Sequence, residues 1–330
     1  MVTLDDGSSV NYSTGANARY VDLGSTLDPA EQTYSYNSLE GSLDHVLANP
    51  AALTMVTSAD VWQGNAQEAV AFAYSRYNWL RSTLRTFHEF FAEAPSLALQ
   101  ARPRDLNLLL NAARDGEVQL ERFMTAIDAL DDRDVRGPVA AQVQGHLGSE
   151  HLRGRERALA WMRGGEYLGF VDDLVAFVTA PPYSPLGQPP AGAALRAPVR
   201  RADRKLRRRA GLALRAPEGD RQDAALHAAR KAAKRLRYAA ETIRPVHGMN
   251  AAKLARRAKR IQDTLGEHQD CVVAQGVLRE FATAANGAGE SSFTYGLLLG
   301  GEQEHARRIR DAFAARWPKV AGRGHRRWLR

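Results

Sequence analysis

One segment of the sequence, LHAARKAAKRLRYAAE at residues 226–241, constrains the fold more than any other. It contains no proline or glycine, and it divides into two faces when it is wound as an α-helix at about 100° per residue. Its basic and imidazole side chains fall within a sector of roughly 160° on one face. They are His227, Arg230, Lys231, Lys234, Arg235 and Arg237. Alanine and leucine fill the other face, so this helix can pack closely against its neighbours.

The remainder of the chain is also helical in pattern, and we find no convincing alternation of the kind that predicts β-strands. From about residue 66 onward, apolar residues recur at intervals of three and four. The predicted helices cover residues 67–93, 106–130, 138–161, 167–179, 199–214, 223–243, 251–281 and 294–317. Long helices with short connections predict an all-α fold built from antiparallel bundles.

An internal repeat divides the helical region into two similar halves. Residues 80–81 correspond to residues 236–237 at an offset of 156. Asp115 corresponds to Asp270 at an offset of 155. A proline-rich linker at residues 180–198 lies between the two copies, where a connection between halves belongs. We therefore expect two pseudo-symmetric helical bundles.

The predicted helical domain spans residues 66–317, with halves at about 66–179 and 199–317. Residues 1–65 are rich in Ser, Asn, Thr, Gly and Asp, so we expect a poorly ordered or divergent segment there. Residues 318–330 form a basic C-terminal tail, in which Trp328 is the one aromatic residue. The tail either contacts an anionic polymer or is disordered.

Positive charge is concentrated in the second half of the chain. The net charge is +8, but residues 1–150 carry 10 Arg, no Lys and 20 acidic residues, for a net charge of −10. Residues 151–330 carry 35 basic and 17 acidic residues, for a net charge of +18. This asymmetry indicates an anionic partner: nucleic acid, a phosphate polymer or an acidic membrane surface. The alternative is a solvated basic surface.

Composition and motifs argue against several other classes of protein. The sequence shows no apolar run of membrane-spanning length and no signal peptide, so we expect no membrane insertion and a cytoplasmic location. The single cysteine, Cys271, excludes an intrachain disulfide and a thiolate zinc cluster. Glu267, His268 and Asp270 have the composition of a metal site, but neighbours in sequence do not share a helix face well. No glycine-rich P-loop occurs. We expect neither a metal nor a cofactor.

The segment at residues 226–241 and a second segment, RIQDTLGEHQDCVV at residues 260–273, resemble the CHAD family, the conserved histidine α-helical domain. The resemblance covers about residues 80–317 and is strongest from 151 onward. Members of this family are pseudo-two-fold helical domains that bind inorganic polyphosphate through basic residues lining a central groove or pore. The resemblance therefore implies polyphosphate binding, with recruitment to polyphosphate granules.

The resemblance also implies phosphate contacts from the six side chains of the basic helix face. The preceding helix, the equivalent helix of the first half and a basic cluster before residue 160 extend this set. The added residues are Arg200, Arg204, Arg207, Arg208, Arg81, Arg85, Arg153 and Arg155. For His227 the alternative is a histidine packed at a helix interface. Asp115 and Asp270 either orient basic side chains or are surface and capping acids.

The first half departs from the family pattern. Ala71 and Tyr74 stand at the positions equivalent to His227 and Arg230, and most of the first basic face is missing. The first half has lost phosphate contacts, or it uses another helix, or the N-terminal 75 or so residues are a rearranged stretch joined to a normal family sequence. All three explanations predict a lopsided site, in which the second half supplies most contacts.

Two further functional hypotheses stay open. A nucleic-acid-binding protein would carry the same basic residues on a convex surface, although Tyr238 is the only aromatic residue in 196–260, which disfavours single-strand binding. The second hypothesis is an accessory role in polyphosphate or phosphate-ester metabolism. The tunnel-type triphosphatase domain that often accompanies CHAD domains needs a Glu-x-Glu-x-Lys strand motif, which the sequence lacks, so we expect binding without catalysis.

Overall fold

The computed structural model describes residues 78–101, 103–322 and 324–329, together with six short strands before residue 49. The strands belong to a separate unit, Met1–Ser75, and form three antiparallel pairs. The pairs are β1 (Val2–Thr3) with β2 (Ser9–Val10), β3 (Val21–Asp22) with β6 (Leu47–Ala48), and β4 (Tyr34–Tyr36) with β5 (Leu39–Gly41). The expectation of poor order at residues 1–65 otherwise concerns residues outside the described part.

The second unit, Arg76–Arg330, is helical throughout its described elements, which confirms the all-α class. Its first helical residues, 78–86, are α1. The following helices are α2 (Glu93–Ala101), α3 (Pro103–Asp128), α4 (Val139–Met162), α5 (Gly165–Thr179), α6 (Ala191–Ala194), α7 (Arg196–Ala213), α8 (Asp220–Thr242), α9 (Arg244–Gly287) and α10 (Phe293–Val320). Short 3-10 turns occur at His88–Phe90, Asp132–Asp134, Pro185–Gly187 and Gly324–Leu329.

Two prolines lie inside helices near boundaries that the sequence pattern places differently. The helix predicted at 67–93 stops at residue 86, and α2 then begins at Glu93 with Pro95 in its first turn. Likewise α7 begins inside the predicted linker and carries Pro198 in its first turn. Proline is tolerated there because the missing N–H would have had no partner within the helix.

The two halves share an apolar core formed by four helices, α3 and α4 with α9 and α10. Phe123 of α3 and Val143 of α4 are completely buried, and they pack in one cluster with Leu278 of α9 and Tyr295 of α10. The Tyr295 hydroxyl donates to Gln142 Oε1 across the boundary between the halves, at 2.5 Å. This arrangement makes the described helices one cooperative body rather than two independent bundles.

A second core forms around the alanine face of α8. Ala229, Ala233 and Ala239 are fully buried in one cluster with apolar residues of α7 and α9. The C-terminal segment joins this core, because Leu329 is only 2% exposed. The alternative of a disordered tail therefore does not hold for residues 324–329.

An ionic network built on Arg122 also links the halves. The guanidinium donates two hydrogen bonds of 2.7 Å to the carboxylate of Glu302 on α10. It donates a third, of 2.9 Å, to Glu267 on α9, and Nη2 lies 3.1 Å from Cys271 Sγ. Burial by itself would lower the pKa of Arg122, but the bonds to Glu302 and Glu267 outweigh it and raise the pKa above its ordinary value.

We predict that Arg122→Met lowers the free energy of unfolding by about 2–4 kcal/mol, because Glu302 would be left buried without its cation. Chemical denaturation monitored by circular dichroism measures this change. Arg133→Met is the matched control, since Arg133 and its partner Asp131 are largely exposed and such pairs contribute little. Equal stability of the two variants would contradict a structural role for the network.

Candidate anion-binding site

The packing of α8 determines which way its basic face points. The helix begins after Gly219, whose φ of 97° suits glycine, and its first turn carries Asp220 and Asp223. Acidic side chains at this end stabilise the helix, because the N-terminus is the positive end of the helix dipole. Because the alanine face is buried against α7 and α9, the opposite face is left to carry the basic side chains. The sequence-based division of this helix into two faces is thus seen in the fold.

Lys234 lies at the centre of a cluster of cationic side chains drawn from three helices. Burial, together with the positive charges of Arg230, Arg114, Arg237 and Arg81, lowers the pKa of Lys234 to about 7. Arg81 belongs to α1 and Arg114 to α3, both in the first half, whereas Arg230 and Arg237 flank Lys234 on α8. The two halves therefore meet at this point with positive charge on both sides. We refer to these five residues as the Lys234 cluster.

An aromatic ring forms part of the wall beside this cluster. Tyr238 is 5% exposed, and its ring centroid lies 6.0 Å from Lys234 Nζ and 5.3 Å from Arg237 Cζ. Arg237 is further held by Glu241 Oε1, which accepts from Nε at 2.7 Å, and by Gln262 Oε1 at 3.5 Å from Nη1. These contacts fix the orientation of a cation without neutralising the cluster as a whole.

The positive charge continues from α8 toward α7. Burial and the charges of Arg85 and Arg81 lower the pKa of Arg235. The charge of Arg235, burial, and then the charge of Arg85 lower the pKa of Lys205 on α7. Arg209 and Arg208 of α7 add to the same effect on Lys205. The result is a continuous cationic region that runs from α3 through α8 to α7.

Two nitrogen atoms beside the Lys234 cluster are buried without a hydrogen-bond partner among the described residues: His227 Nδ1 and Arg230 Nε. Burial, followed by the charges of Lys231 and Arg230, lowers the pKa of His227. Arg230 lies over Gly266, where an ideal Cβ would be 3.5 Å from Nε. The Nε–H of Arg230 is thus a buried donor without an acceptor, and such a group is suited to an anion.

Acidic side chains accompany the cluster at the positions that the repeat relates. The Asp115 carboxylate lies 3.8 Å from Arg114 Nη1. Burial raises the pKa of Asp270, while the charges of Arg230 and Arg114 oppose that increase. Asp115 is exposed beside Arg114, so the choice between an orienting acid and a surface acid stays a prediction for both residues.

The structure distributes the remaining predicted residues over other surfaces. Arg200 and Arg204 are exposed on α7, and Arg153 is exposed on α4, where its backbone oxygen accepts from Arg157 Nε. Arg155 is half-buried on the same helix. None of Arg200, Arg204, Arg153 and Arg155 is among the main charges that lower the pKa of Lys234.

Arg207 is paired with a buried acid of its own helix. Its Nε donates to Asp203 Oδ2 at 3.0 Å, and Arg326 of the C-terminal segment lies 3.5 Å from the same oxygen. These residues line a cavity together with Arg257, Trp317 and Leu236 of α8. The spacing that puts Arg207 on one face with Arg200 and Arg204 did not reveal this partner.

Arg114 and Lys205 belong to the cationic region but were not among the predicted contacts. Arg114 directly precedes Asp115, which the repeat matches to Asp270, and that adjacency was the available signal. Lys205 lies between Arg204 and Arg207 in a run of basic residues, in which only the three-dimensional packing distinguishes one member from another.

Among the described residues, one group of side chains could hold a metal ion: Glu267, Cys271 and His305. The guanidinium of Arg122 already bonds to two of them, Glu267 and Cys271. Burial raises the pKa of the Cys271 thiol to about 12, which favours the protonated form over the thiolate that metals require. His268 points elsewhere, with Nε2 3.4 Å from an Asp223 oxygen.

Comparison with known proteins decides the family. The CHAD domain profile matches residues 37–279, which is most of the chain. The chain belongs to the CHAD family. Two relatives from strains of Mycobacterium tuberculosis, each named as an uncharacterized protein, are 35% identical over 241 residues. That alignment covers 73% of this chain and 46% of each relative, so the chain spans about half the length of the proteins it matches.

Solved structures show the same CHAD fold. PptA from Streptomyces chartreusis is similar with a TM-score of 0.64 and 20% identity, covering 76% of this chain and 89% of that one. The CHAD domain from the plant Ricinus communis is similar with a TM-score of 0.52 and 23% identity, covering 84% of both chains. At these identities the likeness concerns the fold alone. Within the described residues of this CHAD protein, no helix has the length and apolarity needed to cross a membrane.

We predict that Lys234→Met stabilises the unliganded protein at pH 6 by at least about 1 kcal/mol, because it removes a partly buried charge from among arginines. The pKa of Lys234 is about 7 in the folded protein and 10.5 in a free lysine. Its cost is therefore complete below pH 7 and declines as the pH rises toward 10.5, because the unfolded chain then binds more protons than the folded one.

Denaturation of the wild type and Lys234→Met at pH 6 and at pH 9 measures this difference. The gain in stability should be smaller at pH 9 than at pH 6. Lys253→Met, which removes an exposed lysine of α9, should show little change at either pH. A Lys234→Met protein that is less stable than the wild type at pH 6 would contradict the unfavourable charge environment.

Proposed function

We propose that this CHAD protein binds inorganic polyphosphate at the Lys234 cluster and the adjoining cationic region, without altering the polymer chemically. The observation that supports this most strongly is the convergence of Arg81 and Arg114 from one half with Arg230, Lys234 and Arg237 from the other. Cations held this close together in a partly buried position repel one another, and a polyanion relieves that repulsion.

The chemistry of the side chains suits a phosphate polymer. Polyphosphate carries about one negative charge per phosphate and has no base edges to read, so its recognition depends on charge and hydrogen bonding. Guanidinium groups can bind phosphate oxygens in a forked manner, while lysine acts as a point charge. Along α8, successive turns rise about 5.4 Å, so residues three, four and seven apart can follow an extended chain.

The proposal includes contributions from both halves, in contrast to the lopsided site expected from the sequence. The equivalents of His227 and Arg230 are absent from the first half, at Ala71 and Tyr74, which lie outside the described residues. Arg81 and Arg114 are nevertheless among the charges that lower the pKa of Lys234 in the second half. The first half would thus act through α1 and α3 instead of through a second copy of the basic face.

Recruitment to polyphosphate granules in the cytoplasm would follow from such binding, and it is part of the proposal. The Mycobacterium tuberculosis relatives are about twice as long as the matched region. In a longer protein, a domain of this kind could deliver an attached domain to the polymer. Binding alone accounts for the residues of the site, since they include no nucleophile with an adjacent general base.

Nucleic acid is the alternative ligand, and the geometry of the cluster favours polyphosphate over it. Lys234 and Arg235 are half-buried between helices, where a duplex about 20 Å wide would have difficulty reaching them. The exposed arginines of α7, Arg200 and Arg204, are more accessible to such a ligand. The two ligands are therefore expected to engage different residues.

We predict tighter binding of long-chain polyphosphate than of duplex DNA when the two are compared at matched phosphate concentration and physiological salt. Isothermal titration calorimetry or fluorescence anisotropy measures both affinities. The polyphosphate affinity should fall as salt is raised, because cations condensed on the polymer are released on binding. Equal or tighter binding of DNA would overturn the proposal, and release of phosphate in the presence of divalent metal would overturn its non-catalytic part.

A variant of the first half tests the contribution of both halves. Replacing Arg81 and Arg114 with Gln should weaken polyphosphate binding by about tenfold or more, since each charged hydrogen bond contributes roughly 1.5–3 kcal/mol before screening. The matched control replaces Arg307 and Arg308 with Gln, which removes the same charge from the exposed surface of α10 near Glu304. If the two double variants bind equally well, the first half does not take part.

A further inference from the structure

We propose that the exposed face of α7 is a second polyanion-binding surface, which binds the phosphate backbone of double-stranded nucleic acid without regard to base sequence. This surface is distinct from the Lys234 cluster, and its ligand goes beyond the polyphosphate proposed above. The proposal assigns a partner to arginines that the Lys234 cluster does not include.

The exposed face of α7 consists almost entirely of arginine. Seven residues of this helix are exposed, and the only one that is not an arginine is Leu212. The six arginines are Arg196, Arg200, Arg201, Arg204, Arg207 and Arg208. Asp203 is the only acid in the helix, and it is buried. The exposed face of α7 therefore carries no negative charge of its own.

Acids of the protein occupy only two of these six guanidinium groups. Glu89 accepts a hydrogen bond from Arg201 Nη2, and Asp203 accepts one from Arg207 Nε at 3.0 Å. Within the described part of the chain, no acid forms a salt bridge with the other four. We call these four the α7 arginine row, and its members are Arg196, Arg200, Arg204 and Arg208.

The absence of acidic partners distinguishes this row from other basic surfaces of the protein. On α10, Arg307 Nη2 donates to Glu304 at 2.8 Å, and on α9 Lys259 Nζ donates to Asp263 at 2.7 Å. Acids three or four residues away thus neutralise those helix surfaces. On α7 the one acid, Asp203, is already engaged by Arg207 and by Arg326. The row is left with its full positive charge toward solvent.

The spacing of the row suits an extended array of phosphates. Its members are four residues apart, so they lie on successive turns and extend over about 18 Å of the helix axis. Duplex nucleic acid carries about one negative charge per 1.7 Å of its axis, so a row of this length can meet several phosphates at once. Guanidinium groups bind phosphate oxygens in a forked geometry, which favours arginine over lysine in this role.

The composition of α7 argues against other polyanionic partners. Proteins that bind single strands stack the bases on aromatic rings, and α7 contains no aromatic residue. A helix that lies on a membrane inserts an apolar face, whereas Val199, Leu206 and Ala210 of α7 are buried in the protein core. The helix also lacks Asn, Gln, Ser and Thr, so its contacts would be to the backbone more than to base edges.

Fluorescence anisotropy with a labelled duplex of about 20 base pairs and random sequence tests the proposal, in salt from about 50 to 200 mM. The logarithm of the affinity should fall with the logarithm of the salt concentration with a slope near about −3.6, as expected for four neutralised phosphates. Replacing Arg200 and Arg204 with Gln should weaken binding about tenfold or more and make the slope shallower by about 1.8.

The matched control replaces Arg307 and Arg308 with Gln, which removes the same charge from a surface that has acidic partners. This control should change the duplex affinity by less than about threefold, because it removes no contact to phosphate. Equal weakening in the two double variants would overturn the proposal. Undetectable duplex binding by the wild type at the lowest salt would overturn it as well.

The same variants separate this surface from the polyphosphate site. The variant Arg81→Gln with Arg114→Gln should lose polyphosphate affinity and keep duplex affinity, and the variant Arg200→Gln with Arg204→Gln should do the reverse. If the α7 variant loses polyphosphate binding and keeps duplex binding, the row belongs to the polyphosphate site and the present proposal is wrong. Duplex binding that depends on α7 would support it even if polyphosphate does not bind.

A membrane is tested with vesicles of equal parts phosphatidylcholine and phosphatidylserine, at a concentration of negative charge matched to that of the duplex. Binding to the vesicles should be weaker than binding to the duplex, because the apolar face of α7 is not available for insertion. Tighter binding to vesicles that is lost in the α7 variant would identify an anionic lipid surface as the partner and would overturn the proposal.

Chemical modification tests the same surface without a variant. Phenylglyoxal reacts with accessible guanidinium groups, and mass spectrometry locates the modified residues. The duplex should protect Arg200 and Arg204 from modification. Arg279 is exposed on α9 beside Leu278, which packs in the core shared by α3, α4 and α10, so it should stay reactive. Protection of Arg279 to the same extent as the α7 arginines would overturn the assignment to α7.

Discussion

The packing of α8 through alanine is the constraint on which the cationic site depends. Ala229, Ala233, Ala239 and Ala240 are fully buried, and their small side chains allow α7 and α9 to approach closely. A helix packed on this side presents its basic side chains on the other side, where Lys234 and Arg235 are half-buried and Lys231 is exposed. The apolar contacts thus stabilise a concentration of like charge that electrostatics alone would disperse.

The shared core and the Arg122 network extend this constraint to the first half. Phe123 and Tyr295 fix α3 against α10, and Arg122 adds a directional link through Glu302. These contacts hold α3, whose Arg114 is near enough to lower the pKa of Lys234 on α8. The site is consequently assembled from tertiary structure as much as from one helix, and an anion that binds it would stabilise both halves together.

Much of the fold followed from the sequence, because the relevant signals were local. Periodicity identified the long helices, whereas the boundary that the repeat gives between the halves stays a prediction. The faces of α8 could be assigned because its pattern has no ambiguity. The position of α2 could not be found in the same way, since a proline such as Pro95 can either end a helix or stand in the first turn of the next.

The site was harder to predict, because long-range pairing decides which basic residues converge. Arg114 belongs to the Lys234 cluster because of the packing of α3. Lys205 belongs to the adjoining cationic region because α7 lies near Arg235. Arg207 is paired with Asp203, four residues earlier on the same helix, an i,i+4 partner that the assignment of Arg207 to the site left out of account. The most direct test is a crystal structure with short-chain polyphosphate. We predict phosphate oxygens within hydrogen-bonding distance of Arg114 and Lys234, whereas a chain bound only along the exposed arginines of α7 would contradict the account.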